Sequence, residues 1–320
     1  MQRFKDILIV VEDNTLGKTL LAQGAALARR NRARLTVAVL VEAVTYEPSR
    51  LVSAGTVAEP PVPIIEKPGQ PLEQLISSLR QKEIEVEANV LSGTPFLEII
   101  RAVIRNRHDL VMIMAGGEGG LKEKLFGGTP MQLLRKCPCP VWVMKPTHPR
   151  PYRRILTTVD PDPFDQERHS LNKTIMELST SLAQLEQSEL HIVHAWTLFG
   201  EAILRGPRGN LSKQEMYRLL SETRQKQESL LNDSLLPYGL NKLKHRVHLL
   251  KGEPGRVISE VAQAQGIDLI VMGTVCRTGI AGLLIGNTAE TVLRQVDCAV
   301  LAVKPEGFVS PVGLVSKMMA

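Results

Sequence analysis

GEPGRVISEVAQAQGIDLIVMGTVCRTGIAGLLIGNTAETVLRQVDCAVLAVKP, residues 252–305, can be laid without a gap on GTPFLEIIRAVIRNRHDLVMIMAGGEGGLKEKLFGGTPMQLLRKCPCPVWVMKP, residues 93–146. Fifteen of these 54 positions are identical, where roughly three would follow from composition alone. The shared residues include Gly93/Gly252, Pro95/Pro254, Asp109/Asp268, Gly120/Gly279, Gly127/Gly286, Thr129/Thr288, Arg135/Arg294 and Lys145-Pro146/Lys304-Pro305. The starts match as well, Ile7-Leu8 with Ile155-Leu156 and Val11-Glu12 with Val159-Asp160. The chain is therefore a tandem duplication with a proline-marked linker at Pro146 to Pro151. The expected domains are 1–147 and 148–308, with a tail at 309–320.

Each half alternates strand and helix. In the second, an apolar run at 155–159 precedes the turn residues Pro161, Asp162 and Pro163. Leu171, Ile175, Leu178 and Leu182 then recur at helical spacing within 165–186. Strands follow at 190–196, 245–250, 269–272 and 299–303, with helices over 212–235, from Pro254, and over 288–296. Continuous apolar strands suit a parallel sheet buried on both faces. The expected fold is α/β: two tandem Rossmann-like domains, each an open, five-stranded, mainly parallel sheet flanked by helices. An insertion at 44–71, rich in Pro, Val and Glu, reads as a loop.

Composition narrows the function. At 320 residues, 43% hydrophobic, 22% charged and 4% aromatic, extended disorder and a base-stacking surface are excluded. No apolar run reaches the roughly 18–20 residues of a membrane helix. The apolar start ends at once in Glu12-Asp13, so it reads as a strand and the chain as cytoplasmic. The net charge of +6 is dispersed, its densest group Arg29, Arg30, Arg32 and Arg34 at a helix end, which disfavours a nucleic-acid partner. Cys137, Cys139, Cys276 and Cys298 form neither a CxxC pair nor a zinc set, and read as reduced structural thiols.

In doubly wound sheets ligands sit beyond the carboxyl ends of strands at a topological switch point. The loop from Gly273 to Gly279, followed by Gly286, Asn287 and Thr288 at a helix start, has the composition of an anion site. Glycine permits close backbone approach, the helix start presents N–H groups, and Arg277 adds a cation. A tight connection with no ligand explains the same residues.

These residues resemble the universal stress protein family over almost the whole chain. Nucleotide-binding members carry glycine, two residues, glycine, nine residues, glycine, then serine or threonine. Gly273 matches the first glycine and Gly286 the third, whereas Cys276 stands at the second and Asn287 at the hydroxyl. Gly286-Asn287-Thr288-Ala289-Glu290 is similar to the tandem E-type branch. The resemblance implies that Asp160 contacts adenine, that Ala195 offers backbone contacts to the base, and that Thr288 supplies a hydroxyl. The side chain of Cys276 falls where bare backbone would approach phosphate, which weakens the motif. In the first half Glu12 replaces the aspartate, Met114 the first glycine, and Glu118 brings negative charge beside Gly117, so no standard nucleotide site is expected there. The resemblance also implies that the halves pair through Val141–Met144 and Ala299–Val303.

Weaker signals fall away. Gly17-Lys18-Thr19 lacks the glycine that a phosphate loop needs five positions earlier, where Glu12 stands. His191 and His194 share a strand and read as structural, while His245 and His248 flank Arg246 and read as solvated. His169 has no evident partner. Asp160 and Asp162 have the types to hold a cation, and turn chemistry explains them equally. No residue set supplies a base with a metal site. Three functions follow: a stress-response ligand sensor or scaffold with ATP as candidate ligand in the second half, a stress protein that binds no nucleotide and holds an apolar molecule or protein partner, and a slow ATPase. Homo-oligomers are compatible with each.

Overall fold

A computed structural model describes residues 3–11, 14–41, 76–77, 79–80, 84–115, 128–145, 151–162, 164–206, 211–274 and 285–313. The expected loop at 44–71 and most of the linker lie outside them. The chain forms two compact units, Met1–Cys139 with Ser310–Ala320, and Pro140–Val309.

The first unit contains β1 (Asp6–Val11), α1 (Asn14–Asn31), β2 (Arg34–Val41), β3 (Val86–Ser92), α2 (Pro95–Asn106), β4 (Leu110–Met114) and α3 (Thr129–Lys136). Its strands lie in the order β3-β2-β1-β4, parallel throughout. The second contains β5 (Val141–Met144), β6 (Arg154–Thr158), α4 (Gln166–Glu186), β7 (Glu189–Trp196), α5 (Glu201–Arg205), α6 (Lys213–Leu235), β8 (His245–Lys251), α7 (Pro254–Ala264), β9 (Leu269–Gly273), α8 (Asn287–Gln295) and β10 (Ala299–Val303). Here the order is β5-β10-β9-β6-β7-β8, and only β5 runs antiparallel, against β10. The last strand of the first repeat thus packs within the second unit. The order reverses between β1 and β4, and again between β6 and β9.

The repeated residues carry the fold. Gly93 and Gly252, with φ of 127° and 153°, take a backbone conformation that side chains disfavour. Each is followed two residues later by a proline in the first turn of α2 or α7, where a missing N–H costs nothing. Asp109 accepts bonds from the N–H groups of Lys5 (2.6 Å) and Asp6 (3.0 Å), and Asp268 from those of Arg153 (2.8 Å) and Arg154 (2.9 Å). Each aspartate therefore ties the entry of its fourth strand to the entry of its first. All residues of β1, β4, β5 and β10 are buried, which at about 1.5–3 kcal/mol per large apolar side chain supplies the main driving force.

One close contact is encoded by a helical glycine. A Cβ on Gly24 of α1 would lie 2.1 Å from Ile9 Cδ1. On helix propensity alone Gly24→Ala would stabilise by about 1 kcal/mol. We expect it instead to destabilise in urea titrations, with Ile9→Val restoring part of the loss by removing Cδ1. Stabilisation by the single change would contradict the contact.

His191, only 1% exposed, bonds through Nδ1 to His248 Nε2 at 3.0 Å. His248 is thus half-buried and paired rather than solvated as expected, because the pairing of β8 with β7 stacks its ring on that of His191; His245 is exposed. Burial, then the neighbouring His248, lowers the His191 pKa from 6.5 to about 4, against the opposing pull of Glu189. Between those values the unfolded chain binds the extra proton and the folded chain does not. Stability therefore falls as pH drops from 6.5 to 4. His191→Leu should flatten that part of the stability–pH curve relative to the unmodified protein, and identical curves would show that His191 carries no such linkage.

Candidate functional site

Strand β6 delivers the chain to Asp160, and α4 fixes it there. The Asp160 N–H donates to Asn172 Oδ1 at 3.2 Å, and Asn172 Nδ2 donates back to the Asp160 carbonyl at 2.8 Å. Asp165 caps α4 by accepting the Arg168 N–H at 3.0 Å. That bond, with the Arg168 guanidinium, holds its carboxyl below the usual carboxylate range even against the cost of desolvation. The same guanidinium contacts three carboxylates. Its Nε lies 3.0 Å from Asp165 Oδ2, and one terminal nitrogen lies 3.1 Å from Asp162 Oδ2 and 3.3 Å from Asp160 Oδ2. The cation considered for Asp160 and Asp162 is thus the guanidinium of Arg168.

Gly273 is the last residue of β9, not the first of the following loop. A Cβ there would meet Leu171 Cδ2 at 2.8 Å, so glycine at 273 also serves the packing of α4 on the sheet. The Gly286 N–H donates to the carbonyl of Thr274, the residue after Gly273, at 2.9 Å. Gly286 is the N-cap of α8 and has extended backbone, φ −75° and ψ 149°, with no side-chain cap. The first N–H groups of α8 are therefore aimed out of the helix start, where an anion is stabilised.

On the neighbouring strand, Ala195 is half-buried and His194 is buried. His194 Nδ1 lies 3.2 Å from the Val159 carbonyl and Nε2 lies 2.9 Å from Gln227 Oε1. The carbonyl can only accept, so Nδ1 carries a proton. In the neutral ring Nε2 then accepts, which requires the Gln227 amide to present its NH₂. This is the structural histidine anticipated from the strand.

These parts enclose a cleft of about 680 Å³ at the switch point between β6 and β9. Asp160, Ala195, Gly273, Gly286, Asn287 and Thr288 all line it, together with Arg168, Asn172, His194, Trp196, Lys226 and Gln227. Cys276 and Arg277 lie outside the described residues, as do Glu12, Gly117, Glu118 and Gly127 of the first half. Sequence reasoning missed Arg168 and Asn172. Their available signal was spacing, since Asp165, Arg168 and Asn172 follow at three and four residues on one helix face. Among the described residues no group of three or more metal-ligating side chains is found, and no helix is long and apolar enough to cross a membrane.

Comparison with known proteins agrees with the repeat. A family model described as the universal stress protein family matches residues 3–145 and 151–304. The universal stress protein E homolog of Haemophilus influenzae is 28% identical over 310 residues, covering 95% of this chain and 98% of its own. Universal stress protein E of Escherichia coli K12 is 27% identical over 318 residues, covering 98% of each. A functionally unknown protein from Pseudomonas aeruginosa PAO1 superposes with a TM-score of 0.70 at 25% identity, covering 95% of this chain and 94% of that one. A universal stress protein from Archaeoglobus fulgidus, at 16% identity and a TM-score of 0.58, shares the fold over 93% of this chain and 98% of its own. With both repeats matched, the chain belongs to the universal stress protein family as a tandem, E-type member.

Proposed function

We propose that this protein is a cytoplasmic ligand sensor or scaffold whose second unit binds ATP in the cleft between β6 and β9. Family membership supports a stress-response role. The observation that carries the ligand reading is the convergence of Asp160, Ala195, Gly273, Gly286, Asn287 and Thr288, from four separate stretches, on one cleft. In this reading Asp160 accepts from the exocyclic amine of adenine, exchanging its 3.3 Å contact with Arg168, while Arg168 stays anchored on Asp162 and Asp165. The phosphates lie toward the start of α8, whose first N–H groups face out of the helix.

A second reading, an apolar ligand or protein partner, is favoured by the cleft's own rim. Phe164, which lines it, is 91% exposed, and Phe199, two residues beyond the lining residue Thr197, is 97% exposed. In that case the protein should retain an apolar fluorescent probe without binding ATP, and Phe164→Ser should abolish the retention; retention unchanged by the substitution would contradict this reading.

Small molecules released by denaturing the purified protein, identified by mass spectrometry, together with calorimetric ATP titration, test the first reading. Absence of ATP from both would contradict it. Asp160→Ala should weaken ATP binding by about tenfold or more, the worth of one charge-assisted hydrogen bond. Cys276→Gly should strengthen it, and unchanged affinity in both variants would place the ligand elsewhere. Steady phosphate release lost in Asp160→Ala would favour a slow ATPase.

A further inference from the structure

Two lysines occupy equivalent places in the repeats, Lys145 after β5 and Lys304 after β10, and both are buried. They are bonded differently. Lys145 Nζ donates to Asp297 Oδ1 at 2.6 Å and to the Val296 carbonyl at 3.4 Å. Lys304 Nζ donates to Thr274 Oγ1 at 2.7 Å and lies 4.8 Å from the centre of the Phe308 ring. The repeat supplies the reason. The residue equivalent to Thr274 is Ala115, whose side chain has no oxygen to offer.

Thr274 is fully buried and its backbone is engaged on both sides. Its N–H donates to the Val303 carbonyl at 3.3 Å, and its carbonyl accepts from Gly286 at 2.9 Å. A buried ammonium is tolerable only while hydrogen-bonded, so the bond to Oγ1 offsets part of the cost of burying Lys304. A continuous path therefore runs from Lys304 through Thr274 to Gly286, the N-cap of α8.

We propose that Lys304 and Thr274 form a clamp that sets the first turn of α8 against the end of β9, and so positions the groups that receive the anionic end of the cleft's ligand. Lys304 is not among the described residues lining the cleft, so it acts through Thr274 rather than by touching phosphate. The proposal rests on the nucleotide reading and adds a requirement: only the phosphate-bearing part of the ligand depends on the clamp. The first repeat carries Ala115 in place of Thr274, and its lysine, Lys145, secures the approach to β10.

Calorimetric titration with ATP and with adenosine, on the unmodified protein and on Lys304→Met, Thr274→Val and the double variant, tests this. Each single change should weaken ATP binding about tenfold, as for loss of one oriented hydrogen bond. The double variant should be no weaker than either single change, because both break one path. Adenosine affinity should stay unchanged. Parallel loss of ATP and adenosine, additive losses, or unaltered ATP binding would each overturn the clamp. If the unmodified protein binds neither ligand, the nucleotide reading fails and amide exchange at Gly286 decides the clamp separately. Exchange at least about tenfold faster in Lys304→Met supports it, and unchanged exchange overturns it.

Discussion

Strand β10 is apolar at every position and buried along its length, so its backbone groups on the side away from β9 must find partners in the protein. Strand β5 provides them. Val300 registers with Val143, Leu301 with Trp142 and Ala302 with Val141, antiparallel. Lys145 then pins the chain ahead of β10 through Val296 and Asp297. With β5 on its outer edge β10 becomes an interior strand, and β9, held between β10 and β6, ends in Gly273 against Leu171 of α4. The floor of the cleft inherits its position from this pairing.

Duplication preserved the geometry and let the chemistry drift. Asp109 and Asp268 make the same pair of bonds to the first-strand entries of their units. At the adjoining register pair the charges have reversed: Asp6 faces Arg34 across β1 and β2, whereas Arg154 faces Glu189 across β6 and β7. Either arrangement joins two strand starts. Exchanges of this kind keep the interaction while erasing sequence identity, which explains why the repeat is easiest to see in residues whose role has no substitute, such as Gly93/Gly252 and Pro95/Pro254.

The alternation of strands and helices was legible because buried parallel strands leave unbroken apolar runs, and the second repeat's elements lie within a residue or so of the positions those runs indicate. The switch-point location of Asp160, Gly273 and Gly286 was legible too, since it follows from strand order. Arg168 was not, because a cation on a helix face looks solvated until the turn of Pro161 and Asp162 brings three carboxylates to it. Nor was the second duty of Gly273: the sequence contains no mark that Leu171 would occupy the space of its Cβ. His248 misled for a related reason, as only the register of β8 on β7 brings its ring to His191. Cys137 and Cys139 are buried thiols as expected, with sulfurs in contact at 3.6 Å.

A ligand held in the cleft between β6 and β9 must slow amide exchange there, which hydrogen exchange followed by mass spectrometry, with and without ATP, can follow. Protection should concentrate at residues 158–172 and 286–289, with residues 3–41 of the first unit unaffected. Protection confined to the first unit, or none at saturating ATP, would contradict a ligand site in that cleft.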